Sequence, residues 1–342
     1  MPAVTVVITA YNLEKYLARC LDELLAQSMQ DFSVLLIDDA STDGTRDVAD
    51  AYIARCPDRI LAVYLDQNLG SPAKTRNAAL DSGLIDGAYT LFLDGDDRIE
   101  PDCLAALYAA ATAQGADIAL CAYDRVEAGS EHVLCRELGW LPEAGIELPP
   151  ESDAPAFVNS ALWNKLIKTE LCLSCRLPDF RIGEDLCYAL ALMQRANRIA
   201  CVPRALVHYY VRAGSVMSTA QRADATRFAD ELHRMYLQAT PAWREVLALV
   251  SFLHIGLSMP LGVSRQKNVP LAAYCRETRA HLLSAYGLYR GRKYLRLCSL
   301  IRRGMKGLCL FGALTAYRLR LFMPVLSCYR LLCRVLHIEI KF

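Results

Sequence analysis

Several features that would mark common protein classes are missing from the chain. No basic segment precedes an apolar core at its start. Met1-Pro2-Ala3 runs directly into Val4–Ala10, unlike a secretory leader, and that run is too short to span a bilayer. Low-complexity tracts and internal repeats are lacking, and an apolar fraction of 54% excludes a disordered polypeptide. The first turn has no G-x-G-x-x-G, which argues against a dinucleotide-binding fold. No serine–histidine–acid set and no nucleophile elbow suggest a hydrolase. The fourteen cysteines include a single C-x-x-C pair, Cys172 and Cys175, without two further ligands at zinc spacing. With no export signal, the cysteines inside apolar runs (Cys103, Cys121, Cys187, Cys201, Cys309) read as reduced, buried thiols of a cytoplasmic protein.

Net charge is also nearly absent, at +1, but the balance hides an asymmetry. Residues 1–150 carry 10 basic and 25 acidic side chains, a net of −15, whereas residues 286–342 carry 12 basic and one acidic, a net of +11. An acidic half suits a cation site, and a basic apolar tail suits an anionic surface. At 342 residues there is room for one large domain and an extension.

The first 125 residues alternate two periods. Apolar, β-rich runs at Val4–Ala10, Ser33–Asp38, Ile60–Leu65, Tyr89–Leu93 and Asp117–Tyr123 predict strands. Helical periodicity fills about 13–28, 43–56, 72–84 and 101–114, with Ser41 and Ser71 as N-caps and Pro72 and Pro101 at first helical positions. Nearly continuous apolar strands joined by helices predict an α/β fold: a Rossmann-like, mostly parallel sheet with helices on both faces. Residues 126–160, broken by Pro142, Pro149, Pro150 and Pro155, read as irregular. Beyond about 222 the pattern is helical, so the expected division is a catalytic domain over 1–220 and a helical region over 221–342. Within the domain, 1–125 forms one half and 126–220 the other.

In such sheets ligands bind beyond the carboxyl ends of the strands. Four strand-end loops therefore converge: Thr9-Ala10-Tyr11-Asn12, Asp38 through Thr45, Asn68-Leu69-Gly70 leading to Lys74, Arg76 and Asn77, and Asp94-Gly95-Asp96-Asp97. Three carboxylates within four residues repel one another unless a cation joins them, and hard oxygen ligands favour magnesium or manganese alongside substrate phosphates. The competing reading of Asp94, Asp96 and Asp97 is a solvated acidic turn before a helix. Tyr11 offers a ring to stack on a base, Asp39 accepts hydrogen bonds from a uracil edge or ribose, and Arg76 is placed to reach a phosphate. The segment around Asp38-Asp39 also looks like the first strand of a phosphoacceptor receiver domain, but a full strand–helix unit precedes it.

Taken in order, Val4 through Asn12, Asp38 through Thr45, Asn68 through Asn77 and Phe92 through Asp97 closely resemble the family 2 glycosyltransferases of GT-A fold, over about residues 3–125. The resemblance implies nucleoside contacts at Thr9, Tyr11 and Asp39 and metal or phosphate-side roles for Asp94, Asp96 and Asp97, with Asp96 the first candidate for a direct ligand. Ala40 departs from the glycine usual in that family. Arg181 through Leu186 resembles the acidic pair at a helix start beneath the acceptor, which implies Asp185 as the base and Glu184 as its orienting neighbour. Trp163-Asn164-Lys165 resembles the acceptor-side segment; an indole stacks on a sugar face, although a core Trp fits equally well. His208 through Arg212, followed by Ser215, resembles the strand and loop closing over the diphosphate. That implies a phosphate clamp at Arg212 and an approach of His208 to the metal, against a structural role for the histidine. The remaining histidines show no ligand spacing.

The apolar stretch Glu245–Val263 is interrupted by His254, Gly256, Ser258 and Pro260, which favours a buried or interfacial helix over a membrane span. Farther on, Phe322, Leu326, Tyr329, Cys333 and Leu336 make one helical stripe, with Arg330 and Arg334 on the same turns and Arg292, Lys293, Arg296, Arg302, Arg303 and Lys306 before it. Basic amphipathic helices of this type lie on anionic membrane surfaces. The alternatives are a subdomain packed on the catalytic half or an oligomer interface; nucleic acid is not indicated, since no recognised module accompanies the charge. The expected protein is thus an inverting, Mn2+- or Mg2+-dependent transferase. It uses a nucleotide sugar, a UDP-sugar by the resemblance, and a saccharide or lipid-linked acceptor at the inner membrane face. A non-catalytic nucleotide-sugar-binding scaffold is the main alternative, and a nucleotidyltransferase lacks the basic Gly-rich loop it would need after the first strand.

Overall fold

Strands that are apolar along both faces must be covered on both, and the computed structural model shows how this is done for residues 1–127, 129–211, 222–263, 270–287, 293–298, 304–324 and 326. In chain order the elements begin β1 (Val4–Ala10), α1 (Leu17–Leu25), β2 (Phe32–Asp38), α2 (Thr45–Arg55), β3 (Ile60–Tyr64), α3 (Pro72–Asp81), β4 (Tyr89–Asp94), β5 (Arg98–Ile99), α4 (Cys103–Gln114) and β6 (Ile118–Glu127). They continue with β7 (Val133–Glu137), β8 (Ile146–Glu147), a 3-10 turn at Ala154–Phe157, β9 (Lys165–Lys168), α5 (Thr169–Leu173), α6 (Glu184–Met193) and β10 (Arg198–Val211). One ten-stranded sheet runs β3-β2-β1-β4-β9-β6-β10-β5, with β7 on β6 and β8 on β10. The long ladders β1–β2, β1–β4, β2–β3 and β6–β10 are parallel; β9, inserted between β4 and β6, is antiparallel to both.

Side-chain alternation sorts the helices. Val4, Val6, Ile8, Val34, Leu36, Leu91 and Leu93 pack with Leu17, Leu21 and Leu24 of α1, Tyr52 of α2 and Leu104 and Leu107 of α4. Each such aliphatic side chain, once buried, contributes roughly 1.5–3 kcal/mol. On the opposite face α3 lies against β1 and β2, and Tyr188 of α6 meets Phe92 edge-on at 6.4 Å. The parallel register sets Thr9 beside Asp94 and Ala10 beside Asp38, so the loops after β1, β2 and β4 leave the sheet at one level.

Three predicted helix starts shift. α1 begins at Leu17 rather than at about residue 13. α2 begins at Thr45, where the Asp43 carboxylate accepts from Thr45 N (3.0 Å), while Ser41 Oγ accepts from Asn12 N (2.9 Å). α4 begins at Cys103, two residues after Pro101. Residues 126–160 are also less irregular than expected, because β6 runs to Glu127 and β7 and β8 follow. β7 is exposed along most of its length, so burial imposes no apolar pattern on it that a reader could detect.

Contacts divide the chain into Met1–Pro149 with Val158–Thr219, and Pro150–Phe157 with Ala220–Phe342. The second unit is helical: α7 (Arg222–Gln238), α8 (Pro241–Ser251), a π-helical stretch at Phe252–Ser258, α9 (Met259–Val263), α10 (Leu271–Tyr286) and α11 (Gly304–Arg318). The apolar stretch around Val246–Leu257 is largely buried within it, and Tyr317 OH donates to Gly256 O (2.5 Å) from the π-helical turn. Among the described residues no helix is long and apolar enough to cross a membrane. Phe322 and Leu326 of the predicted stripe are buried, with Phe322 stacked on Tyr317 at 4.0 Å; Tyr329, Arg330, Cys333, Arg334 and Leu336, like Arg292, Arg302 and Arg303, lie outside the described residues. Cys103, Cys121, Cys172, Cys175, Cys187 and Cys201 are buried free thiols, whereas Cys309 is exposed, contrary to expectation.

Candidate active site

The loops after β1 and β2 are fastened to each other. Asn12, in the left-handed region at φ 55°, accepts from Thr42 N through Oδ1 (2.9 Å) and donates its own N–H to Ser41. Leu13 N donates to Thr45 Oγ1 (2.7 Å), and Gly44 N donates to Glu14 (3.1 Å). The next contact reaches the loop after β3: Asp39 Oδ1 accepts from Leu69 N (2.8 Å), and its carbonyl accepts from Asn68 Nδ2 (3.1 Å). Asp38 turns inward to Arg46 (2.8 Å) and Ser41 N. These bonds bring Thr9, Tyr11 and Asp39 to one edge, where Tyr11 is 49% exposed and Asp39 is buried with Oδ1 engaged by Leu69 N. Ala40 adopts φ 55°, the conformation in which glycine is free of strain.

The acidic turn after β4 is held from three sides. Asp97 N closes it onto Asp94 O (3.0 Å), and Arg19 of α1 donates to Asp96 O (3.0 Å) while its guanidinium lies 5.3 Å from the Tyr210 ring centre. A Cβ on Gly95 would come within 2.8 Å of Leu13 Cδ1, so a side chain here would require the end of Leu13 to shift. Asp94 and Asp96 are half-buried. The other two predicted metal ligands have separate partners: Asp97 is buried and accepts from Tyr210 N (3.3 Å), and His208 Nε2 sits 2.7 Å from Glu100. Among the described residues no three such side chains form a ready-made metal cluster. A hard divalent cation that takes one or two carboxylates plus substrate phosphates needs no such cluster, and Asp94 with Asp96 fits that requirement.

Glu184 and Asp185 open α6, where a helix N-terminus favours negative charge, after Gly183 at φ 77°. Burial pushes the Glu184 carboxyl up to about 7, with the Asp185 charge adding to it. Burial also raises Asp185, and the Arg76 guanidinium opposes the rise. Arg76 itself is buried, donating to Asp185 Oδ1 through Nη1 and to Asp94 Oδ1 through Nη2, both at 2.8 Å. Asn77, the next residue of α3, exchanges a reciprocal pair with Leu177: Nδ2 to the carbonyl at 2.8 Å and N–H to Oδ1 at 2.9 Å.

The three acceptor-side candidates are all buried, each with partners inside the protein. Trp163 is 5% exposed, stacked on Tyr209 (5.5 Å) and edge-on to Tyr123 (4.7 Å), the packing expected of a core indole. Asn164 donates to Cys121 O (2.8 Å) and accepts Cys121 N on its own carbonyl (3.1 Å). Lys165 Nζ is within hydrogen-bond distance of Asn159 O, Asn159 Oδ1, Ala161 O and Asn164 Oδ1. Burial pushes this lysine down to about 7, while the four oxygens favour its ammonium form. Arg212 and Ser215 lie outside the described residues. Sequence reasoning missed Arg19, Asn12 and Tyr210 as supports of the site. Asn12 and Tyr210 stood inside motifs already singled out, whereas Arg19 acts only through the fold.

A family model described as glycosyl transferase family 2 matches residues 5–142. The succinoglycan biosynthesis protein ExoO of Rhizobium meliloti is 32% identical over 250 residues, covering 68% of each chain. Among solved structures, residues 1–349 of S. aureus TarS in complex with UDP-GlcNAc share the fold at a TM-score of 0.71, with 22% identity over 92% of this chain and 91% of that one. The mannosyltransferase PcManGT of Pyrobaculum calidifontis, in complex with GDP-Man and Mn2+, aligns at a TM-score of 0.53 and 17% identity, covering 99% and 88% of the two chains.

Proposed function

Because the chain belongs to glycosyl transferase family 2, we propose that it is an inverting enzyme that transfers a sugar from a UDP-sugar to a saccharide or lipid-linked acceptor in cell-surface polysaccharide synthesis. The observation that carries the reading is the meeting of two acidic sites: Asp94, at the end of β4, and Asp185, at the start of α6, lie on either side of one guanidinium. Thr9, Tyr11 and Asp39 hold the nucleoside, Tyr11 by stacking and Asp39 as an acceptor. Asp94 and Asp96 would hold Mn2+ or Mg2+, which would supply positive charge to the departing diphosphate. The nucleotide-sugar and manganese complexes of the structural neighbours support a donor of this class and a divalent ion.

Transfer is a single displacement. The acceptor oxygen forms a bond to the anomeric carbon as the bond from that carbon to the diphosphate oxygen breaks; Asp185 receives the hydroxyl proton, and the nucleoside diphosphate leaves with the bonding pair. Attack opposite the leaving group inverts the anomeric centre. Glu184 sets the local charge beside the base. The basic C-terminal segment holds the enzyme at the inner membrane face, where a lipid-linked acceptor would be presented.

Titrating the full chain with a panel of nucleotide sugars, with and without Mn2+, tests this directly. One donor is expected to bind and to be slowly hydrolysed only with metal, and Asp96→Ala should cut that turnover at least about a hundredfold. Failure of every nucleotide sugar to bind a folded protein would remove the transferase reading and favour a scaffold.

A further inference from the structure

Arg76 stands near a helix start, where a basic residue invites the reading of a phosphate ligand, yet its surroundings argue otherwise. The side chain is 4% exposed, and its two terminal nitrogens are directed at carboxylates from two different elements, Asp94 at the end of β4 and Asp185 at the start of α6. A guanidinium is a rigid planar fork, so these two bonds fix the carboxylates relative to each other. Other residues of α3 already anchor the segment that leads into α6, through Asn77 to Leu177 and Lys74 to Asp179 (3.4 Å). Those contacts tether the backbone; the Arg76 bond is made to the carboxylate of Asp185 itself.

We propose that Arg76 is a positioning residue for sugar transfer: it acts through Asp185, engaging Oδ1 so that Oδ2 is presented to the acceptor hydroxyl, and it keeps this base in register with Asp94 at the donor. It does not serve as a ligand of the donor phosphates. This rests on the reading of Asp185 as the base. Lysine preserves the charge but offers one nitrogen in place of the fork, so Arg76→Lys should disturb the register while leaving nucleotide binding in place.

The experiment compares wild type, Arg76→Lys, Arg76→Gln, Asp185→Asn and the Arg76→Gln/Asp185→Asn double variant, all as the full chain. UDP affinity in the presence of Mn2+ is read by calorimetry, and turnover is read with the donor identified by the nucleotide-sugar panel. The expected result for Arg76→Lys is a UDP Kd within about threefold of wild type and a kcat lowered about a hundredfold. The double variant should be no more than about threefold slower than Asp185→Asn alone, because Arg76 acts through that residue. If Arg76→Gln fails to fold, the lysine variant still decides through its split between affinity and rate. A tenfold rise in UDP Kd with kcat retained would make Arg76 a phosphate ligand and overturn the proposal. So would a double variant in which the two losses multiply in full. A wild type that turns over no nucleotide sugar would sink the transferase reading itself, and this proposal with it.

Discussion

The donor-side loops and the segment from Asn159 to Lys165 are similar in composition, both polar with an aromatic ring, and opposite in how their polar atoms are used. In the loops the backbone is bonded loop to loop, through Asn12, Ser41, Asp39 and Asn68, while the Tyr11 ring faces solvent. In the second segment Lys165 and Asn164 turn inward onto neighbouring carbonyls, and Trp163 is stacked in the core. The lesson is that a polar or aromatic residue in a motif becomes a ligand-binding group only where the fold leaves it unsatisfied. Where a site residue's capacity is already filled, its contribution is to shape and stability.

Trp163→Ala probes this contrast with the largest expected loss of stability, about 3–5 kcal/mol for emptying a packed aromatic site, read by denaturant unfolding. Protein that remains folded should keep its donor affinity. An unchanged stability with a raised acceptor KM would break the contrast and return the indole to the acceptor.

Glu184 gives a smaller effect with a definite pH signature. Its carboxyl is raised to about 7 from an ordinary 4.5, so between these values the folded protein keeps a proton that the unfolded chain has lost. The associated stability is complete below about pH 4.5 and disappears as pH rises through about 7. Glu184→Gln should therefore match wild type near pH 4 and exceed it by about 1–3 kcal/mol at pH 8. An equal difference at both pH values would show that the carboxyl is not desolvated.

The smallest effect belongs to Ala40, held at φ 55° in the second loop. Ala40→Gly relieves the left-handed strain at a cost in unfolded-state entropy, for a net gain of about 0.5–1 kcal/mol. Donor affinity should not change. A loss of affinity would mean that the Ala40 methyl group itself touches the nucleoside.

Legibility follows the same division. β1 to β4 and most of β6 could be read because burial on both faces imposes continuous apolar runs, and the helices between them show their own period. β7 is exposed, β8 and β5 have two residues each, and β9 has four, so none leaves a pattern long enough to find. The acids at 94–97 and 184–185 stood out as clusters. That Asp97 turns inward to Tyr210 N, that His208 pairs with Glu100, and that Arg76 bridges Asp94 and Asp185 are consequences of chain crossings, which local sequence does not encode.

The proposed division of labour gives donor binding to the strand-end loops and proton transfer to Asp185. It is tested most directly by measuring donor affinity and turnover side by side in Asp185→Asn. Affinity should stay within about threefold of wild type while turnover falls by about 10²–10⁴, the range for removing a positioned base. Turnover retained, or affinity lost in step with it, would contradict that division of labour.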